Sequence, residues 1–172
     1  ILLSLQLDNR GTSFRPIKDV QLFQPAFFLK SHFKSIQLSY AKAKNYEEII
    51  GELKVLFEQP YTSLMELNMA FILYGMKKLG LSTNILFSSE MNTQGKRVEL
   101  LVDVCKKCGA NQYLSPVGSK DYIDENNIFD ENGIELIYQN YRHPVYQQVN
   151  YKDFISHLSF IDYLMNNSSL DF

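Results

Sequence analysis

Apolar residues recur along this chain at spacings that mark helices in its first half and short strands in its second. Leu29, Phe33, Ile36 and Tyr40 fall four, three and four apart, which places them on one face of a helix. Asn45 followed by Glu48 makes a capping-box-like start for a second helix, with Ile49, Ile50, Leu53, Leu56 and Phe57 on its inner face. Pro60 separates that helix from a third, over 63–79, which Ser63 and Glu66 can cap. This third helix is apolar almost all round, so the pattern expects it buried at the domain centre. The run ILLSLQL at 1–7 reads as a strand, a polar turn follows around Asn9-Arg10-Gly11, and Ile17 to Leu22 reads as a second short strand.

Two later stretches share one layout. KKLGLSTNILFSS and KKCGANQYLSPVG each end a helix with two lysines and a glycine and then run into a short strand. Lysine suits the negative end of the helix dipole, and glycine supplies the left-handed residue that closes a helix. Strands are therefore expected near 84–88 and 112–115, joined by a helix over 95–108 with Val98, Leu101, Val104, Cys105 and Cys108 inward. A strand, a helix and a strand make a right-handed βαβ unit. A third strand is expected over Ile134 to Tyr138, after the turn at Asp130 to Gly133, and a closing helix over 154–166 packing through Phe154, Leu158, Ile161 and Met165. The fold class is α/β, one domain over 1–172, with a small, mostly parallel sheet and packed helices. Ligands bind such sheets outside the carboxyl ends of the strands. Those ends are expected to carry Ser88, Ser89 and Glu90, then Ser115 to Lys120, then Gln139 to His143.

Composition narrows the function classes. At 172 residues and 45% hydrophobic, with 12 Phe and 11 Tyr, the chain can bury a core of ordinary size. Its net charge is −2 and its pI about 5.9, with lysines scattered among acids, which argues against a nucleic-acid partner. The longest uncharged apolar stretch, Leu67 to Met76, is well short of the ~20 residues of a membrane span. With no visible signal peptide, the expected location is the cytoplasm. The chain starts at Ile1, in a strand-like run and without Met, so the N-terminal part of the domain is expected to be missing and one edge of 1–7 unpaired. Cys105 and Cys108 form a lone CKKC at a helix end, where the dipole opposes a thiolate. With no second such pair for zinc, they read as buried or idle thiols, and no metal site is expected.

Three clusters carry candidate chemistry. Ser115-Pro116-Val117-Gly118-Ser119-Lys120 is a strand-to-helix loop whose backbone amides and lysine suit a phosphate or carboxylate. It lacks the first glycine of a P-loop, and Asp121 stands where that motif has a hydroxyl. Arg142-His143-Pro144, with Tyr146 and Gln148, is the densest polar and aromatic cluster, and His143 is the candidate general base. His157, Ser159 and Asp162 share letters with a catalytic triad, but on one helix only Ser159 and Asp162 share a face. Asp162 is expected to play a packing role, holding a backbone amide or Arg142. His32, beside Ser35 and Ser39, reads as a surface residue.

LNMAFILYGMKKLGLST, GANQYLSPVGSKDYI, GIELIYQNYRHPVYQQ and FISHLSFIDYLMNN together resemble, in order and over nearly the whole chain, the WbqC-like protein family. By that likeness Ser115, Gly118, Tyr122, Tyr138, His143, Pro144, Tyr146, Gln148, Ser159 and Asp162 fall on motif positions. Members usually begin with a Gln-Pro-rich strand and turn ending in Gly-Tyr-Phe, which this chain lacks. The resemblance implies a setting in bacterial surface-polysaccharide (O-antigen, lipopolysaccharide) gene clusters. It implies an aminoacyl or acyl transferase acting on a nucleotide-linked amino sugar, or a non-catalytic binding or scaffold subunit that contacts glycan-assembly proteins. On the transferase reading His143 deprotonates the amine. Ser115, Gly118, Ser119, Lys120 and Arg142 hold the diphosphate, and Tyr122, Tyr138, Tyr141 and Tyr146, with Gln148, contact the sugar. Neither the residues nor the resemblance names a cofactor.

Overall fold

The structure, a computed structural model, describes residues 2–8, 15–123 and 127–167, and of Tyr122 only the backbone. The turn expected around Asn9-Arg10-Gly11 and the side chain of Tyr122 lie outside the described residues. In chain order the elements are α1 (Pro25–Tyr40), α2 (Tyr46–Phe57), α3 (Leu64–Lys78), α4 (Val98–Lys107), β1 (Gln112–Pro116), α5 (Lys120–Ile123), α6 (Ile128–Glu131), β2 (Glu135–Gln139) and α7 (Phe160–Asn166). The chain divides into a helical unit, Ile1–Thr83 with His143–Phe172, and a sheet unit, Asn84–Arg142.

In the helical unit the predicted apolar faces build the core. Leu29 and Ile36 of α1 and Ile49, Leu53 and Phe57 of α2 are buried together with Leu67 of α3 and Ile161, Tyr163, Leu164 and Met165 of α7. Helix α3 opens with the expected capping box. The Ser63 hydroxyl accepts from the Glu66 N–H at 3.2 Å, and the Glu66 carboxylate accepts from the N–H groups of Ser63 at 3.1 Å and Thr62 at 3.0 Å. Helix α3 departs from expectation elsewhere: Leu67 and Gly75 are buried, but Ile72 and Leu73 are about half exposed. Its apolar character all round does not translate into burial all round, because α1, α2 and α7 supply apolar partners for one face. At Gly75 a Cβ would sit 3.4 Å from the Phe160 ring, so glycine allows α7 to pack closely there.

Asn45 does stand before α2, but its side chain does not cap that helix. Its amide instead donates to the carbonyls of Leu164 at 2.8 Å and Asn167 at 2.7 Å, fastening the start of α2 to the end of α7. The two N-terminal strands shrink to isolated bridges, Leu7 with Leu22 and Gln21 with Ser63, and Ile17–Asp19 forms a single turn of 3-10 helix. The closing helix covers only 160–166, since His157 takes a left-handed φ of 59° that stops the helix from beginning at 154.

The sheet unit contains the parallel pair that the sequence predicts. β1 and β2 run parallel with Ser115 opposite Tyr138 and Pro116 opposite Gln139. The crossover between them runs through the short helices α5 and α6, while the helix predicted over 95–108, expected to join strands at 84–88 and 112–115, lies before β1. That helix begins at Val98, and residues 81–87 form neither a helix nor a ladder among the described residues, so the strand expected at 84–88 is not found. Ser88–Glu90 is a turn of 3-10 helix and therefore not a strand end. Val98, Val102 and Cys105 of α4 pack with Ile123, Phe129 and Ile134, and the Tyr113 ring stacks on Phe129 at 5.1 Å. Val102 was not among the expected inward positions, while Cys108, which was, is exposed because α4 ends there. Burial pushes the Cys105 thiol above its ordinary pKa, which keeps it protonated and unreactive.

Both helix ends marked by two lysines and a glycine close as predicted. After α3 the N–H of Gly80 bonds to Lys77 O at 3.3 Å and that of Leu81 to Met76 O at 2.9 Å; after α4 the N–H of Gly109 bonds to Lys106 O at 3.0 Å and that of Ala110 to Cys105 O at 2.9 Å. Gly80 and Gly109 both sit at φ 64°, the left-handed geometry of a Schellman motif. Among the described residues no helix is long and apolar enough to cross a membrane.

Candidate functional site

Parallel strands put their carboxyl ends on one edge, and in the sheet unit that edge carries the Ser115–Lys120 turn beside Tyr138. The turn is held from within. Ser119 Oγ donates to Pro116 O at 2.7 Å, so its own oxygen is left to accept, and Ser115 Oγ lies 2.5 Å away as its donor. Both serines are buried, at 0% and 2% exposed, so their hydroxyls shape the turn and do not face solvent. Gly118, by contrast, is exposed, and a Cβ built there would meet nothing within 4 Å. Lys120 is exposed, with its ammonium 5.9 Å from the centre of the half-buried Tyr138 ring. A cation above an aromatic face in this position offers charge and a flat surface at once. Arg142 and Tyr141, further along the chain after β2, are exposed.

The helical unit holds the other candidates, His143, Tyr146 and Gln148, and organises them around a carboxylate. Asp162 is 2% exposed. Its Oδ1 accepts from the Tyr40 hydroxyl at 2.8 Å and the Asn166 amide at 3.2 Å. Its Oδ2 accepts from the Tyr146 hydroxyl at 2.9 Å and the Gln148 amide at 2.8 Å. Four donors on one buried carboxylate satisfy the requirement that a buried charge be hydrogen-bonded. The partners are these side chains and not Arg142, which corrects the sequence expectation. Burial first, and then the Asp162 carboxylate, push the Tyr40 phenol well above its ordinary pKa, so it stays a neutral donor. Gln148 is used at both ends: its oxygen accepts from the Ile155 N–H at 2.8 Å and its amide also donates to Ile155 O at 2.9 Å. The amide Nδ2 of Asn166 also reaches Asp162 O at 2.8 Å, and its oxygen takes the Val149 N–H at 2.8 Å.

His143 is half-buried in an aromatic group, 6.3 Å from the Tyr146 ring, 5.5 Å from Phe154 and 5.1 Å from His157, centre to centre. Its Nδ1 lies 2.8 Å from Pro144 O. A carbonyl oxygen only accepts, so Nδ1 carries the hydrogen and the lone pair of the neutral ring is on Nε2. Through the contact with Tyr146, His143 abuts a side chain fixed by Asp162. Ser159 caps α7, its oxygen accepting from the Ile161 N–H at 3.2 Å, while His157 lies before that helix, so the three triad-like letters do not share one helix. His32 is half-buried against Phe28, a correction to its surface assignment.

Sequence reasoning did not select Tyr40 or Asn166 and gave Asp162 only a packing role. One signal was available: an acid inside the apolar run FIDYLM must be buried with partners if the run is. Among the described residues no group of three or more His, Cys, Asp or Glu is placed to hold a metal ion.

The chain is 28% identical over 140 residues to the uncharacterized protein Rv1507c of Mycobacterium tuberculosis, a match covering 81% of this chain and 60% of that relative. It therefore spans less than two thirds of that relative's length. No solved structure matches it. The WbqC-like family pattern fits residues 1–171, in agreement with the motifs read from the sequence, and the chain belongs to the WbqC-like protein family.

Proposed function

We propose that this protein works in the biosynthesis of a bacterial surface glycan, as an acyl or aminoacyl transferase acting on the amino group of a nucleotide-linked sugar. The observation that carries the reading is the carboxyl edge of the parallel β1–β2 pair, where Lys120, the exposed Gly118 and the Tyr138 ring come together. Parallel sheets bind ligands at that edge, and a lysine there is matched to a phosphate. Ser115 and Ser119 contribute by holding the turn, which leaves the charge contact to Lys120. Arg142, Tyr122 and Tyr141 remain in the proposed ligand set, Arg142 for the diphosphate and the tyrosines for the sugar. Gln148 and Tyr146 act through Asp162 as positioning residues.

His143 is the proposed base. In the reaction the sugar amine forms a bond to the acyl carbon of an activated ester or thioester donor, and the bond from that carbon to the donor breaks. The amine proton passes to Nε2 and then to the departing group, so the histidine ends as it began. A measurement of acyl transfer to nucleoside-diphosphate-linked amino sugars by the full-length protein tests this. His143→Gln should lower turnover about 10²–10⁴-fold with melting unchanged. Normal turnover per folded molecule would remove His143 from the chemistry. The second reading is a non-catalytic binding or scaffold subunit, favoured by the exposure of Leu114, Val117 and Tyr141 in the sheet unit, since exposed apolar and aromatic residues mark contact surfaces. Binding of the sugar nucleotide with no transfer to it would favour that reading.

A further inference from the structure

The helical unit contains a cavity of about 230 Å³ between α1, the turn at 149–151 and the residues leading into α7. That is room for about eight waters at ~30 Å³ each, and less than the ~300–1,000 Å³ of pockets for drug-sized ligands. Its occupant is therefore one small ring or its equivalent.

The lining has an unusual balance. Ser35, Ser39, Tyr40, Asn150, Tyr151 and Ser159 bring hydroxyl or amide groups, and among the described residues no Lys, Arg, His, Asp or Glu lines it. The nearest carboxylate in the network, Asp162, is buried behind Tyr40 and already accepts four hydrogen bonds. A phosphate, a carboxylate or an ammonium would thus find no counter-charge here, and stripping its water would go uncompensated.

The existing bonds define what remains on offer. Ser35 donates to Ser31 O at 3.0 Å and Tyr40 to Asp162, so each has acceptor capacity left. The Asn150 amide donates to Ser39 O at 2.8 Å, which leaves its own carbonyl oxygen as an acceptor. Ser159 accepts from the Ile161 N–H, which leaves its hydrogen to donate. Acceptors and donors are interspersed, and a ligand that satisfies both kinds must carry groups that do both, which hydroxyls do. Ile36, Leu158 and Ile161 supply apolar wall. Hydroxyls around a ring with a C–H face describe a neutral pyranose.

We infer that this cavity is a binding site for a single neutral sugar ring. It lies wholly in the helical unit and does not rest on the transferase reading, because a free hexose lacks the phosphate which that reading requires. The site can fail while nucleotide-sugar binding succeeds, and the reverse.

The test is titration of isotopically labelled protein with glucose, galactose and N-acetylglucosamine, alongside glucosamine, glucose 6-phosphate and cyclohexanol, followed by amide NMR. At least one neutral sugar should shift the Ser39, Asn150 and Ser159 amides in a saturable way, with glucosamine and glucose 6-phosphate about tenfold weaker or silent. Ser39→Leu, which fills the cavity from a half-buried helix position, should weaken that binding by about tenfold or more. Asn150→Gly removes the carboxamide while tolerating the left-handed φ of 68°, and it should weaken binding in a fold that Ser39→Leu does not need to survive. Three results would overturn the inference: no shift with any neutral sugar, equal affinity for the charged sugars, or tighter binding of cyclohexanol than of every sugar. Neutral-sugar binding indifferent to both variants would place the site elsewhere and overturn it equally.

Discussion

In the helical unit four donors converge on Asp162 from elements as far apart in sequence as Tyr40, whereas in the sheet unit the buried polar pair, Ser115 and Ser119, is confined to one turn. The first arrangement ties α1, the segment 146–148 and α7 together, so it specifies tertiary structure. The second sets only the shape of a loop, and beside it Gly118 and Lys120 stay exposed at the sheet edge. A closed network commits its hydrogen bonds to the fold, whereas the exposed edge leaves Lys120 in contact with solvent, and the two should respond to mutation in opposite ways.

Asp162→Ala should give the largest effect on stability, about 3 kcal/mol or more, because it removes at once the buried carboxylate that the Tyr40 and Tyr146 hydroxyls and the Gln148 and Asn166 amides share. Urea unfolding checks this, and a loss below about 1 kcal/mol would show that water reaches these groups and that the network is not closed. Ser119→Ala leaves a single buried hydroxyl, that of Ser115, without its partner and should cost about 1–2 kcal/mol in the same assay. A cost equal to that of Asp162→Ala would erase the contrast between the units. The cap of α3, whose Ser63 is buried while Glu66 is exposed, sets the lower end: Ser63→Ala should cost about 1 kcal/mol.

The cap also makes a prediction about pH. Glu66 is held below its ordinary pKa, first by the Thr62 backbone N–H and then by that of Ser63. A carboxylate whose pKa is depressed in the folded state contributes stability above its unfolded pKa and loses it as pH falls through the lower, folded value. Protection of the Thr62 and Ser63 amides against hydrogen exchange should therefore weaken on acidification through that window. Glu66→Gln should flatten the dependence, and an unchanged profile in that variant would assign it to another group.

Legibility in the sequence followed the range of the interactions involved. The α1 and α2 faces, the Ser63 capping box, the Gly80 and Gly109 helix ends and the strands expected near 112–115 and 134–138 in a parallel sheet were readable because each rests on local spacing. The strand expected at 84–88 was not, because NILFSS has strand composition but gains no ladder partner, and partners are tertiary facts. Helix α3 misled for a related reason, since apolarity all round says nothing of how many faces find a neighbour. In the candidate sites His143, Lys120 and the SPVGSK turn stood out by residue type. Tyr40 did not, because its role depends on an aspartate 122 residues away.

The contrast between the closed network and the open edge is tested most directly at Lys120. Calorimetric titration of the full-length protein with a nucleoside-diphosphate-linked amino sugar, run beside thermal melting, reads both properties for Lys120→Ala. The account predicts about tenfold weaker binding or more, the scale of one lost charge-assisted contact, with melting like that of the unaltered protein. An unchanged dissociation constant, or a loss of affinity accompanied by a lowered melting temperature, would contradict it.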